Sequence, residues 1–307
     1  MPLNPAKTNL TPTQISKVHF LAALRRYPAL VPAALKPLDQ IRYHDIPTAI
    51  SSSPSLSAPQ LEQLVEWKLK HGTFRPTLLA LVRSNAPSAV EAATTEAFGI
   101  LSSSRGASGG DDGQNARMEA LDVLTKALKG VGPATASLVL ACREPRSTPF
   151  FSDEMYRWMC WGEAKGAKGE GEGWARRIQY TRGKYKMLLE KATEVVERVT
   201  AWGLGEELGE MGEAVAVEKV AWVLQREGVD CDQGFGEEED IFGAQVKGKG
   251  RKREAEAEEE AGMVKKAKKG QTTAQDTANK SRKGKVQKSE TEDSPRRQTR
   301  SSARRKT

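Results

Sequence analysis

The chain has 307 residues, 48 Lys and Arg against 40 Asp and Glu, and a formal net charge of +8. The basicity is local: residues 246–307 hold 20 Lys and Arg against 9 Asp and Glu, while the preceding 245 hold 28 against 31. No uninterrupted apolar run approaches the roughly 18 residues that a membrane span needs, the N-terminal segment MPLNPAKTNLTPTQ lacks the charged-then-apolar order of a signal peptide, and three scattered cysteines, Cys142, Cys160 and Cys231, make no disulfide framework. A membrane or disulfide-stapled protein is therefore not expected, and a reduced intracellular compartment is.

Helical periodicity runs through residues 1–240. Thr11-Pro-Thr-Gln followed by Ile15, Val18, Leu21 and Leu24 predicts a first helix ending near Tyr27-Pro28. A proline-rich connector is expected from Val31 to Pro59. Ser57-Ala-Pro-Gln is a cap followed by an early proline, and predicts a helix through Leu61, Leu64, Val65 and Leu69 to His71-Gly72. Further helices are expected after Arg75-Pro76, from Ser88 to Leu101, and from Met118 to Leu128. Two more, Lys184 to Trp202 and Ala214 to Gln225, close the core. Mobile loops are expected at about 102–114 and 162–173, where Ser, Gly, Asp, Lys and Glu accumulate. No alternating apolar run signals a sheet, so the fold class is all-α, a helical bundle followed by a disordered basic tail over 241–307.

That tail carries too few apolar residues to offset the entropy of ordering. Two basic clusters stand in it, Lys247, Lys249, Arg251, Lys252 and Arg253, then Lys265, Lys266, Lys268 and Lys269, with acidic residues 254–260 in the gap between them. Their spacing resembles a bipartite nuclear localisation signal, read by an import receptor. A merely solubilising charge run, or a nonspecific polyanion-binding arm, is the alternative.

The most informative stretch is Leu128-Lys-Gly-Val-Gly-Pro-Ala-Thr-Ala, flanked by helical sequence on both sides. Glycine permits a tight turn at Gly130-Val131-Gly132, and Pro133 suits the first position of the next helix. Unbonded amides and the positive end of a helix dipole then converge where a phosphate oxygen can bind without any base being read. A plain packed turn with no ligand is the competing reading. Leu128, Gly130, Val131, Gly132, Thr135 and Ala136 match Leu-x-Gly-Val-Gly-x-x-Thr-Ala, and here the chain resembles the helix-hairpin-helix element of the endonuclease-III-like DNA glycosylase superfamily, as a divergent member.

The resemblance implies DNA-backbone contacts at Lys129, Gly130, Val131, Gly132, Ala134 and Thr135. It also implies a catalytic aspartate downstream at the head of a helix. Asp153, in Phe150-Phe-Ser-Asp-Glu-Met, lies 21 residues after Gly132 and fits that place. Such a carboxylate stabilises positive charge on the sugar and orients water as a flipped base departs. Helix capping by Ser152 or Asp153 explains the same residues without catalysis. Two features depart from the family. Bifunctional members carry a Schiff-base lysine two residues after the second glycine, where this chain has Ala134, so a lyase step by that route is not expected. The neighbour Glu154 places a second acid beside Asp153 and raises the cost of keeping it ionised. The resemblance implies no iron–sulfur cluster, because no four-cysteine motif follows.

A second cluster, Trp67, Lys68, Lys70 and Arg75, mixes aromatic and basic side chains around a helix end, as nucleic-acid surfaces do. The alternative is that Trp67 and Phe74 are core and the charges a solvated rim. His71 is expected to cap its helix end. The segment Trp-Lys-x-x-x-Gly-x-x-Arg-Pro also resembles one in a group of eukaryotic proteins, and that resemblance supplies no activity. Neither a metal nor another cofactor is expected. The function expected is nuclear, sequence-independent DNA binding, with monofunctional base excision if catalysis is retained. A non-catalytic helical interaction or chromatin-recruitment module with a basic import tail is the alternative, and the near-neutral core keeps it open.

Overall fold

The computed structural model describes residues 7–72, 75, 77–104, 111–163, 171–236 and 239–242. All of these lie in one compact unit, Met1–Gln245, whereas residues 243–307, with the two basic clusters, lie outside the described residues. The described chain is all-α. Its helices are α1 (Lys17–Leu30), α2 (Lys36–Gln40), α3 (Ile46–Ser51), α4 (Ala58–His71), α5 (Leu78–Arg83) and α6 (Pro87–Ser103). Then come α7 (Asp111–Ala127), α8 (Pro133–Arg143), α9 (Asp153–Met159), α10 (Arg182–Ala201), α11 (Gly205–Leu208) and α12 (Glu213–Glu227). Among the described residues the only extended pairing is an isolated antiparallel bridge between Thr8 and Phe235, and no helix is long and apolar enough to cross a membrane.

The bundle closes around α8. Residues Ala134 to Cys142 are all buried, because the run Ala-Thr-Ala-Ser-Leu-Val-Leu-Ala-Cys contains no charge and can be covered on every side. Helices α3, α4, α7 and α10 pack around it, α6 lies along α7, and α1 lies along α12. Ser137 makes its burial tolerable by bonding at both ends: its hydroxyl donates to Ala134 O and accepts from the Phe151 amide at 3.0 Å. That second bond fixes residues 150–153 beside the start of α8.

Several boundaries differ from the sequence expectation. α1 starts at Lys17 with Ser16 as its cap, so Thr11–Gln14 forms a turn ahead of the helix, and the helix continues through Pro28 to Leu30. The expected connector 31–59 contains α2, a π-helical turn Ile41–Asp45 and α3. Its prolines Pro37 and Pro47 occupy first-turn positions, where the missing amide costs nothing. Helix α7 already begins at Asp111, inside the loop expected over 102–114, and a short 3-10 turn, Gly173–Ala175, ends the one expected over 162–173. Positions 105–110 and 164–170 fall outside the described residues. Ile241 and Phe242, just past the expected end of the core, are buried.

A polar network crosses the core beneath α4. Arg42, fully buried on the π-helical turn, pairs with the buried Glu218 of α12 at 3.4 Å, and the Tyr43 hydroxyl donates to the same carboxylate at 2.8 Å. Removing one member of a buried pair strands the other's charge in the interior. Glu218→Ala should therefore cost about 3–5 kcal/mol of stability, read as a lower urea midpoint with an unchanged slope. A loss below 1 kcal/mol would mean that Arg42 reaches water.

Candidate functional site

The turn between α7 and α8 is held from outside. Leu128 and Val131 point into the core, while Lys129 and Gly132 are exposed. Asn85, which follows α5, clamps the backbone of Lys129: its side-chain amide donates to Lys129 O at 2.9 Å, and its oxygen accepts from the Lys129 amide at 2.8 Å. Gly130 has φ +74, and a Cβ there would stand 3.0 Å from Leu81 Cβ and 3.2 Å from the Val82 amide nitrogen. Both the backbone angle and the approach to α5 demand glycine. Gly132 is different. Its φ is −91, and a Cβ would meet nothing within 4 Å. The first glycine is structural and the second leaves open space in front of the turn. The amides of Gly130, Gly132 and Ala134 have no acceptor among the described residues. They stand at the N-terminal, positive end of α8.

A cavity of about 200 Å³ opens at this turn. Gly130, Gly132, Pro133, Ala134 and Thr135 supply one part of its lining, and Ser152, Asp153 and Glu154 another. The end of α4 contributes Lys68 and His71, and Arg75 follows them. Phe150, Phe151, Leu78 and Tyr180 complete it with apolar surface. Asp153 thus shares one cavity with the glycine turn.

Each charged group there has a defined environment. Ser152 is the cap of α9, its hydroxyl accepting from the Met155 amide at 3.0 Å, so Asp153 is free of the capping duty and is the first residue of the helix. The Tyr180 hydroxyl donates to one Asp153 oxygen, and Arg157 lies 3.3 Å from the other. Glu154 is buried, and that burial pushes its carboxyl up to about 7, with the charge of Asp153 adding to the rise. The acid made costly by its surroundings is therefore Glu154. Lys68 donates from Nζ to Thr135 Oγ1 at 3.1 Å. Burial pulls its ammonium down to about 8, Arg75 pushing the same way and Asp153 opposing. Among the described residues no carboxylate lies within ion-pair distance of it. Burial also holds His71 neutral, down to about 3, with the charges of Arg42 and Arg226 adding.

Of the residues singled out in the sequence, Lys68, Arg75, Gly130, Gly132, Ala134, Thr135 and Asp153 meet at this cavity. The others do not. Trp67 is fully buried, with its indole donating to Asp39 at 2.7 Å, so it offers no stacking face to a nucleic acid. Lys70 pairs with Glu66 at 2.8 Å on the outer face of α4. Val131 is core, and Lys129 is exposed without lining the cavity. His71 stacks on Trp67 at 4.4 Å instead of capping its helix, and its buried Nε2 has no hydrogen-bond partner among the described residues. Phe74 and the nine basic tail residues lie outside the described residues. Sequence reasoning missed Asn85 and Tyr180, whose partners are 44 and 27 positions away. It also took Glu154 only as a disturbance to Asp153. Among the described residues no group of three His, Cys, Asp or Glu side chains could hold a metal ion.

No family model, curated protein or solved structure matches this chain. The likeness to the glycosylase superfamily thus stands on the motif residues alone.

The lowered Lys68 gives a pH signature. Between about 8 and 10.5 the folded chain holds fewer protons on this amine than the unfolded chain, so stability from this group rises with pH across that window. Lys68→Met should be the more stable protein at pH 7, and its advantage should shrink by about 2–3 kcal/mol at pH 10.5, in paired urea titrations. A gap that does not change with pH would place Lys68 in water.

Proposed function

We propose that this protein is a nuclear, sequence-independent DNA-binding protein in which α7, the glycine turn and α8 act as a helix-hairpin-helix. The observation that carries the reading is the sharing of one cavity by the unbonded turn amides and Asp153. A phosphate oxygen is bound by the amides at the positive end of α8, and this contact is blind to base identity. With the strand so held, a nucleotide rotated out of the duplex brings its sugar to Asp153. The carboxylate, oriented by Tyr180 and Arg157, stabilises positive charge developing on the sugar and positions water against it. Base hydrolysis is the chemistry this supports. The two basic clusters of the tail supply import and a salt-sensitive attraction for the duplex, which the near-neutral core lacks.

Gly132→Ala is the informative substitution, since its methyl group fits the fold and occupies the phosphate's approach. It should leave the melting temperature unchanged and weaken duplex binding about tenfold, or about 1.4 kcal/mol, in a fluorescence-anisotropy titration. Incubation with oligonucleotides carrying damaged bases should yield abasic sites, and Asp153→Asn should stop that release while duplex binding persists.

The core's net charge of −3 favours a second reading, a non-catalytic interaction or chromatin-recruitment module. Wild-type affinity in Gly132→Ala, together with loss of all binding in a chain ending at Gln245, would favour that module.

A further inference from the structure

We propose that a second cavity, walled by Trp161 and Trp174 and rimmed by carboxylates, binds an arginine side chain of a basic partner peptide. It has a volume of about 660 Å³ and shares no lining residue with the cavity at the glycine turn. The proposal goes beyond the DNA reading and stands independently of it.

The aromatic wall is fixed by the backbone around it. Trp161 follows α9, and Trp174 sits on the 3-10 turn Gly173–Ala175. The Trp174 indole donates to Val229 O at 2.7 Å, which pins that ring against the segment after α12. Gly173 has φ +49, and a Cβ there would stand 3.0 Å from the Trp161 ring, so this approach demands glycine. The two rings meet edge to face, with centroids 4.9 Å apart and planes at 62°, and both stay partly exposed.

Elsewhere the fold already sets arginine against tryptophan. Arg42, Arg198 and Arg226 stand 5.5, 5.5 and 5.8 Å from the rings of Trp67, Trp202 and Trp222. Trp158 is fully buried. Among the described residues no cation stands over Trp161 or Trp174, so these two rings present uncovered π-surface to the cavity.

Carboxylates alone would make an ordinary solvated rim, but here they border that wall. Glu163, Glu172, Asp230 and Asp232 line the cavity. Glu163 is taken by Lys191 at 2.8 Å. Asp230 and Asp232 are exposed, with Asp230 accepting from the Asp232 amide at 3.1 Å. Among the described residues neither has a cation within ion-pair distance. No group of three such side chains among the described residues could hold a metal ion, so a bare divalent ion has no seat here. Arginine suits both features at once. Its guanidinium is planar and weakly hydrated, lies flat on an indole, and donates paired bonds from its edge to a carboxylate. The lysine ammonium is compact and strongly hydrated, and loses more on leaving water. The negative rim also repels a phosphate backbone, so the occupant is a basic peptide.

The full chain, titrated by fluorescence anisotropy against a labelled glycine–serine peptide carrying arginines, should show saturable binding. The same peptide with lysines should bind at least about fivefold more weakly. With citrulline, which keeps the shape and loses the charge, it should bind at least about tenfold more weakly. Trp161→Leu, and separately Asp230→Asn with Asp232→Asn, should each weaken the arginine peptide at least about fivefold. The two aspartates are exposed, so their variant keeps the fold and tests the site even where Trp161→Leu does not fold. Absence of wild-type binding, equal affinity for the lysine or citrulline peptide, or full affinity in the aspartate variant each overturns the proposal. Failure of the chain to bind duplex DNA leaves it standing.

Discussion

Burial of α8 from Ala134 to Cys142 is the constraint on which the site depends. A helix exposed on one side can rock about its packed face. One covered by α3, α4, α7 and α10, with uncharged residues from Ala134 to Cys142, is held on all sides. Its N-terminus is therefore a fixed point, and everything near it is arranged relative to that point. Ser137 ties residue 151 to the helix, which sets the start of α9 and with it Asp153. Asn85 and the close approach of Gly130 to α5 hold the turn from the other side. The cavity is what remains between these ties.

The distribution of charge around it follows from unequal access to water. Asp153 meets Tyr180 and Arg157, Glu154 is drawn into the core, and Lys68 is left with a hydroxyl. Two neighbouring acids and one amine thus acquire different chemical characters from surroundings only a few residues apart. Separation of this kind lets a single small cavity offer a carboxylate bonded to Tyr180 and Arg157, a carboxyl near its titration point and an amine that sheds its proton easily.

Local signals in the sequence carried the parts of this arrangement that are local. Ser57-Ala-Pro-Gln marks the start of α4, and the structure has a reciprocal capping box there between Ser57 and Gln60. The glycine turn and Asp153 were legible for the same reason: turn chemistry and a helix head are written within a few residues. Residues 31–59 were misjudged because proline was taken as a breaker, although Pro37 and Pro47 stand where a helix accepts it. Pro28 was also expected to end α1, but Tyr27 is packed against Trp222 at 5.1 Å and bonded to Asp39, and tertiary contact outweighed local preference. The clamp by Asn85, the Tyr180 hydroxyl and the bond from the half-buried Lys68 to Thr135 depend on segments that meet only after folding, so no spacing along the chain encodes them.

The pairing of Thr8 with Phe235 reaches further than its two hydrogen bonds, of 3.0 and 2.8 Å. Leu10 bonds to Cys231 beside it, the Trp158 indole donates to Leu10, and His19 donates to Gly236. The two ends of the folded unit are thereby knotted to each other and to α9. A domain boundary drawn at the last turn of α12, where the helical pattern stops, would unfasten the opposite end of the chain and loosen the helix that begins with Asp153.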